Sequence, residues 1–263
     1  MPVPILMYHA VGRAPAREAY GLSVTPEAFA GQMELLDAGG YTPLTTAQLA
    51  DRWRDDAAMP RRPMVITFDD GYEGVHRHAR PVLTKYGFAA SLFVSTGWVR
   101  GAYEERGALD TMLDWNQVRE LAADGTEIGG HSHTHPQMDQ LPDNELWFEA
   151  LRCMEIITGE LGNPPASFAY PYGYSSRRVR QAVREAGFSQ SLAVGNALAE
   201  RCQGPYSLRR VTVQRSTGIE EFEQLVEGRS IARIFARDRA LTKGYAVVRR
   251  ARAAGRKVSR TRV

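Results

Sequence analysis

Cysteine is nearly absent from this sequence: 263 residues contain two, Cys153 and Cys202, far apart and outside any CxxC pattern. That favours free thiols in a reducing compartment over a structural disulfide. Long apolar runs are missing as well. No stretch approaches the ~18 to 20 apolar residues that a membrane-spanning helix needs. The opening Met1-Pro2-Val3-Pro4-Ile5-Leu6 has neither a basic n-region nor a long h-region. The expected location is therefore cytoplasmic, without a cleaved signal. Histidine is scarce, six in all, and none follows His135. With 43% hydrophobic residues there is apolar material for one large core, and the length suits a single α/β domain.

The few histidines are concentrated. Gly130-His131-Ser132-His133-Thr134-His135-Pro136 follows directly on the apolar stretch Glu127-Ile128-Gly129. Upstream, the apolar run Met64-Val65-Ile66-Thr67-Phe68 delivers Asp69 and Asp70 to a turn closed by Gly71. Adjacent carboxylates are costly to hold together unless a cation or a proton divides their labour, so one acid is expected to bind a metal and the other to act as a base. Asp70, His131 and His135 make a two-histidine, one-carboxylate set that leaves positions open for water and substrate. The ligand types favour zinc, with nickel, cobalt and iron also compatible. Asp69 would take the proton of an activated water. His133 sits two residues from each expected ligand and should point away from the metal. Ser132 and Thr134 should brace the loop by hydrogen bonds, since neither has a base of its own. His76 and His78 are expected on the surface of the helix after the Asp-Asp-Gly turn.

Thr67-Phe68-Asp69-Asp70-Gly71, the histidine segment and Tyr170-Pro171-Tyr172-Gly173, in that order, resemble the motifs of the polysaccharide deacetylases, the family-four carbohydrate esterases. The opening Tyr8-His9-Ala10-Val11 is similar to the YHxV start of the branch that deacetylates poly-N-acetylglucosamine. The resemblance implies a metal-dependent hydrolase that removes an acetyl group from an N-acetylated sugar or glycan. It further implies that the backbone N–H of Tyr172 stabilises the oxyanion, that Pro171 rigidifies the loop presenting it, and that His9 protonates the departing amine. Two features depart from the pattern. Many members carry an arginine two residues before the motif's proline, orienting the base, where this chain has Ala169. Arg209 or Arg210 could serve instead, and the sequence leaves that choice open. Asp114-Trp115 looks like the family's Asp-Trp element of the acetyl pocket but precedes the histidine segment, so a helix start at Asp114 with a packed Trp115 is an equal reading. Two other functions stay in view: hydrolysis of a non-sugar amide or formamide, and glycan binding without catalysis, which would need no base at Asp69.

Apolar runs of strand type cover Val3 to Tyr8, Met64 to Phe68, Ala89 to Val94, Glu127 to Gly129, Ser167 to Tyr170, Gln190 to Val194 and Leu208 to Val213, with helical periodicity between them. Thr25-Pro26-Glu27 opens a helix that runs to the Gly39-Gly40 stop, and comparable helices end at Gly87, Gly125 and Gly187. Such alternation implies a mainly parallel sheet, closed or nearly so. The resemblance selects a distorted, incomplete (β/α) barrel over an open doubly wound sheet. His9, Asp69-Asp70, His131 and Pro171-Tyr172 each follow a predicted strand, the end at which parallel barrels gather their chemistry.

Residues 1–228 are read as the catalytic domain and residues 229–263 as a basic amphipathic helix and tail. From Arg229 onward 12 Lys or Arg accompany one acid, Asp238, for a charge of +11, against −8 for the rest of the chain. Ile231, Ile234, Phe235, Leu241, Tyr245 and Val248 recur near helical spacing. The segment is expected either to lie on an anionic membrane surface, as a peripheral contact on the inner face, or to close the barrel and end in a solvated tail. Nucleic acid is not an expected partner, because no stacking platform accompanies the charge.

Overall fold

The protein, described here by a computed structural model covering residues 1–237, is built on parallel strands. They are β1 (Ile5–Tyr8), β2 (Thr42–Leu44), β3 (Pro63–Phe68), β4 (Ser91–Val94), β5 (Glu127–Gly130), β6 (Ser167–Ala169), β7 (Gln190–Val194) and β8 (Leu208–Thr212). The helices are α1 (Pro26–Ala38), α2 (Thr46–Arg54), α3 (Arg80–Tyr86), α4 (Trp115–Ala123), α5 (Asp143–Leu161), α6 (Arg177–Glu185), α7 (Ile219–Val226) and α8 (Ile231–Ile234). Strands β1, β8, β7, β6, β5, β4 and β3 follow one another around a ring, and β3 returns to β1 with Ile5 opposite Val65 and Tyr8 opposite Phe68. The expected (β/α) barrel is thus present, closed by seven strands where a complete one has eight. Its distortion is local. β2 pairs with the first half of β3, Thr42 opposite Pro63, while β4 pairs only with its end, Thr67 opposite Ser91.

The seven strands read from the sequence are the seven of the ring. The missed element, β2, is three residues long and carries Pro43, which lacks the N–H that a central strand must donate and suits an edge. Strand alternation sorts the core. Ile5, Val65, Phe93, Ala169, Leu192 and Leu208 pack together inside the ring, whereas Leu6, Tyr8, Ile66, Phe68, Leu92 and Val94 join side chains of the surrounding helices. Helix α1 begins as expected: Thr25 accepts a hydrogen bond from the Ala28 N–H at 3.0 Å, with Pro26 in the first position. Asp114 and Gln117 form a reciprocal capping box at the start of α4, with Trp115 buried behind it, so this Asp-Trp pair is a helix start. Cys153 is buried and Cys202 exposed, and neither is bonded to the other.

Past residue 228, α8 sets Ile231 and Phe235 against Val211 and Leu225. The rest of the basic segment, with Leu241, Tyr245 and Val248, lies outside the described residues. Among the described residues no helix is long and apolar enough to cross a membrane.

Candidate active site and metal centre

The carboxyl ends of the strands converge on one rim. β1 delivers His9, β3 delivers Asp69 and Asp70, β5 delivers His131, β6 delivers Tyr170 to Tyr172, and β8 sends Arg210 inward below them. The Asp-Asp-Gly turn is tight, with both Asp70 (φ 75°) and Gly71 (φ 97°) left-handed. Gly71 tolerates this because it lacks a Cβ. Gly74 is required for a different reason: a Cβ there would stand 2.1 Å from the Val11 carbonyl oxygen, so the loop that carries His9 packs directly on the chain following the paired acids.

The structure brings the three expected ligands together. His131 Nε2 and His135 Nε2 lie 3.2 and 3.3 Å from Asp70 Oδ1, and one donor atom from each residue falls within 4.8 Å of the others. Asp70 Oδ1 is nevertheless buried without an aligned hydrogen bond. His131 Nδ1 explains the orientation of its ring. It donates to the Ala169 carbonyl at 2.7 Å, which leaves the lone pair on Nε2 facing Asp70. Three electron-pair donors converging in a largely buried site repel one another unless a cation lies between them, so the residues present fit a divalent metal. Burial alone would raise the Asp70 pKa, but when the imidazoles of His131 and His135 carry a proton, in the place a cation would take, their hydrogen bonds and charge outweigh it and hold the carboxyl well below its usual range.

Asp69 is held differently. Burial is the largest influence and would raise its pKa too, yet the charge and hydrogen bonds of Arg210, together with His131 and His9, outweigh it and keep it lowered. Arg210 is completely buried and forms a bidentate pair, Nη1 to Oδ1 at 2.6 Å and Nη2 to Oδ2 at 2.7 Å, with a further bond to Thr67 Oγ1 at 3.2 Å. Of the two arginines left open by the sequence, Arg210 is the one that meets Asp69. Adjacent residues of a strand face opposite ways, and Arg209 is exposed, its backbone N–H donating to Gln203 Oε1. Arg209 therefore lies on the face of β8 turned away from Asp69. The small Ala169, at the position where the resemblance called for arginine, lies inside the ring, and the guanidinium arrives from β8 instead.

His9 is 8% exposed, and its Nδ1 is buried without a partner. Burial lowers its pKa, against the opposing pull of Asp70 and Asp69. Tyr172 is left-handed (φ 59°) directly after Pro171, which opens a short 3-10 turn, and its ring lies 4.8 Å from that of His135. His133 turns away from the ligands, as expected, to meet Thr96 Oγ1 through Nδ1 at 2.9 Å. Ser132 braces the loop by accepting from the His135 N–H at 3.0 Å. His76 pairs with Glu120 and Arg80 on the flank of the barrel.

Sequence reasoning missed three residues. Trp98 packs its ring 4.6 Å from His135, on a loop after β4 whose only signal was an aromatic just past a strand. Tyr72 is buried beside the paired acids, where burial and then the Asp70 charge push its hydroxyl pKa up. Glu149, on the inward face of α5, accepts from the His133 and Thr134 backbone N–H groups, both at 2.8 Å.

The profile of the polysaccharide deacetylase family matches residues 56–191. "Putative polysaccharide deacetylase YxkH" of Bacillus subtilis (strain 168) is 27% identical over 228 residues, covering 86% of this chain and 76% of that relative. The poly-beta-1,6-N-acetyl-D-glucosamine N-deacetylase of Escherichia coli (strain K12) is 24% identical over 240 residues. The match takes in 78% of this chain, which spans about a third of that relative's length, 36%. The Streptococcus pyogenes deacetylase PplD, solved in complex with acetate, shares the fold with a TM-score of 0.77 at 23% identity, over 86% of this chain and 98% of that one.

Proposed function

The chain belongs to the polysaccharide deacetylase family, and from that premise we propose that it hydrolyses the acetamido group of an N-acetylated sugar or glycan at the strand-end rim. The observation that carries this reading is the convergence of Asp70, His131 and His135 beside an Asp69 that Arg210 holds in place. Those three residues would hold the metal, with zinc the ion best suited to the donor set. When bound, the ion supplies Lewis acidity, polarising the acetyl carbonyl and acidifying water.

Asp69 receives the proton of the attacking water. The Arg210 fork occupies one lone pair on each carboxylate oxygen and fixes the plane of the group while leaving the others free. Basicity is traded for orientation, since the same fork lowers the Asp69 pKa. The Tyr172 N–H, at a left-handed turn, stabilises the negative charge that develops on the carbonyl oxygen. His9 donates to the departing amine. Because burial lowers its pKa, its imidazolium is a stronger acid than an exposed one.

The substrate class proposed is an N-acetylhexosamine polymer, in keeping with the activity for which the Escherichia coli relative is named. A lipid-linked or nascent glycan at an anionic surface is part of the same proposal and is supported by the +11 charge of residues 229–263. Acetate release from N-acetylhexosamine oligomers, measured for chelated and metal-reconstituted protein, tests the activity. Metal-dependent release is expected, and none from any oligomer with the metal bound would overturn it. Co-sedimentation with anionic vesicles, lost at high salt and on deletion of residues 238–263, tests the surface contact.

A further inference from the structure

Helix α5 buries Leu146, Glu149, Ala150 and Cys153 along one face, so Glu149 occupies a core position of the helical pattern. A carboxylate there is anomalous. It is 7% exposed and, among the described residues, forms no salt bridge. Removing an ion from water without a counter-charge costs several kcal/mol in general, so an apolar residue would serve packing better. What Glu149 does instead is specific. Its Oε2 accepts from the backbone N–H groups of His133 and Thr134, each at 2.8 Å, and its Oε1 accepts from Thr134 Oγ1 at 2.6 Å.

Those donors lie in the loop between His131 and His135. The loop contains two left-handed non-glycine residues, Ser132 (φ 65°) and His135 (φ 58°), a conformation that persists only when its surroundings impose it. On one side the loop is tied to the strand-end segment of β4: the Thr96 N–H donates to the Ser132 carbonyl at 3.2 Å, and the Gly97 N–H to the His133 carbonyl at 2.8 Å. On the other side Glu149 takes both consecutive N–H groups at the centre of the loop. The loop is clamped between two elements, with His131 at its start and His135 at its end.

We propose that Glu149 is a positioning residue for the metal centre: by holding the backbone of residues 133 and 134 it sets the separation of His131 and His135, and hence the affinity of the site for a divalent cation. This inference rests on the proposed metal site and assigns it a determinant outside the three ligands. A side chain that orients a ligand from behind is worth roughly 10- to 100-fold in metal affinity.

The test is zinc binding by the full chain, measured by competition with a chromophoric chelator, together with the visible spectrum of the Co(II)-loaded protein. Glu149→Ala should weaken zinc binding by about 10- to 100-fold and shift the cobalt bands. Glu149→Gln keeps an acceptor oxygen for the two N–H groups and should recover most of the affinity, leaving a deficit of roughly 2- to 10-fold. Circular dichroism melts establish that the variants are folded. If Glu149→Ala is folded and binds zinc within about twofold of the intact chain with an unchanged cobalt spectrum, the inference is overturned. If Glu149→Ala does not fold, Glu149→Leu, which fills the space without offering an acceptor, is read in its place, and the same result for it overturns the inference. Failure of the intact chain to bind any divalent ion would instead overturn the metal-site reading and this inference with it.

Discussion

The two ends of the barrel bury polar groups in opposite ways. At the amino ends, the first residues of four neighbouring strands form a satisfied network. Glu127 on β5 accepts from Ser91 on β4 at 2.7 Å and from Ser167 on β6, Gln190 on β7 donates to Ser167 at 2.7 Å, and the Ala47 N–H at the start of α2 donates to Glu127 at 3.0 Å. At the carboxyl ends, His9 Nδ1, Asp70 Oδ1, His135 Nδ1, Trp98 Nε1 and Arg210 Nε are all buried without a partner. Native proteins rarely tolerate such atoms. One end closes its hydrogen bonds and holds the barrel together; the other keeps capacity open for groups that arrive from outside.

The difference should be widest in the metal ligands. Asp70→Ala, His131→Ala or His135→Ala should abolish both stoichiometric metal and turnover, whereas Asp69→Asn should keep the metal and lose about 10²- to 10⁴-fold in kcat. Metal content of the purified variants, read beside acetate release, decides it, and full occupancy in the ligand variants would collapse the contrast. Arg210 comes next. Truncating it to alanine strands a buried Asp69 charge and should cost about 3–5 kcal/mol in a denaturant melt, while Arg209→Ala, on the exposed face, should stay within about 0.5 kcal/mol. Equal losses would mean that the two faces of β8 are not distinguished as described.

His9→Ala should retain fold and metal. It should slow release from an N-acetyl sugar by roughly 10²-fold or more, but slow an activated acetate ester less, because that leaving group hardly needs a proton. Parallel kcat/KM values for the two substrates would be the contrary result. The smallest effect is expected at the opposite end. Glu127→Ala orphans the donors of Ser91, Ser167 and Ala47 and should cost about 1–3 kcal/mol of stability with zinc affinity unchanged. A loss of zinc affinity there would show that the two ends are not independent.

Most of the rim was legible in the sequence because each key residue follows a strand of strong apolar character, and a parallel barrel puts strand ends together whatever their order. His9, Asp69, Asp70, His131, His135 and Tyr172 are all of this kind. The choice between Arg209 and Arg210 was not legible, since it depends on which face of β8 looks inward and a one-residue slip reverses that. Glu149 was hidden for the converse reason. A charged residue in a helix reads as solvent-facing unless the helix is already docked, and only the position of α5 against β5 reveals that its side chain reaches the histidine loop. β2 was lost to its proline and its brevity.

Asp70, Ser132, His135 and Tyr172 are non-glycine residues with φ between 58° and 75°, and all four sit on the rim. Each such conformation stores about 1–3 kcal/mol that glycine would release. Selection for heat resistance alone would therefore be drawn to these positions, where relaxing the backbone is easiest. At Asp70 and His135 the gain would delete a proposed metal ligand, and at Ser132 a brace of the loop between the two histidines. Thermostable descendants obtained by blind screening should accumulate inactive sequences unless every round also demands turnover, so the margin of stability this molecule does not use is the room in which its chemistry operates.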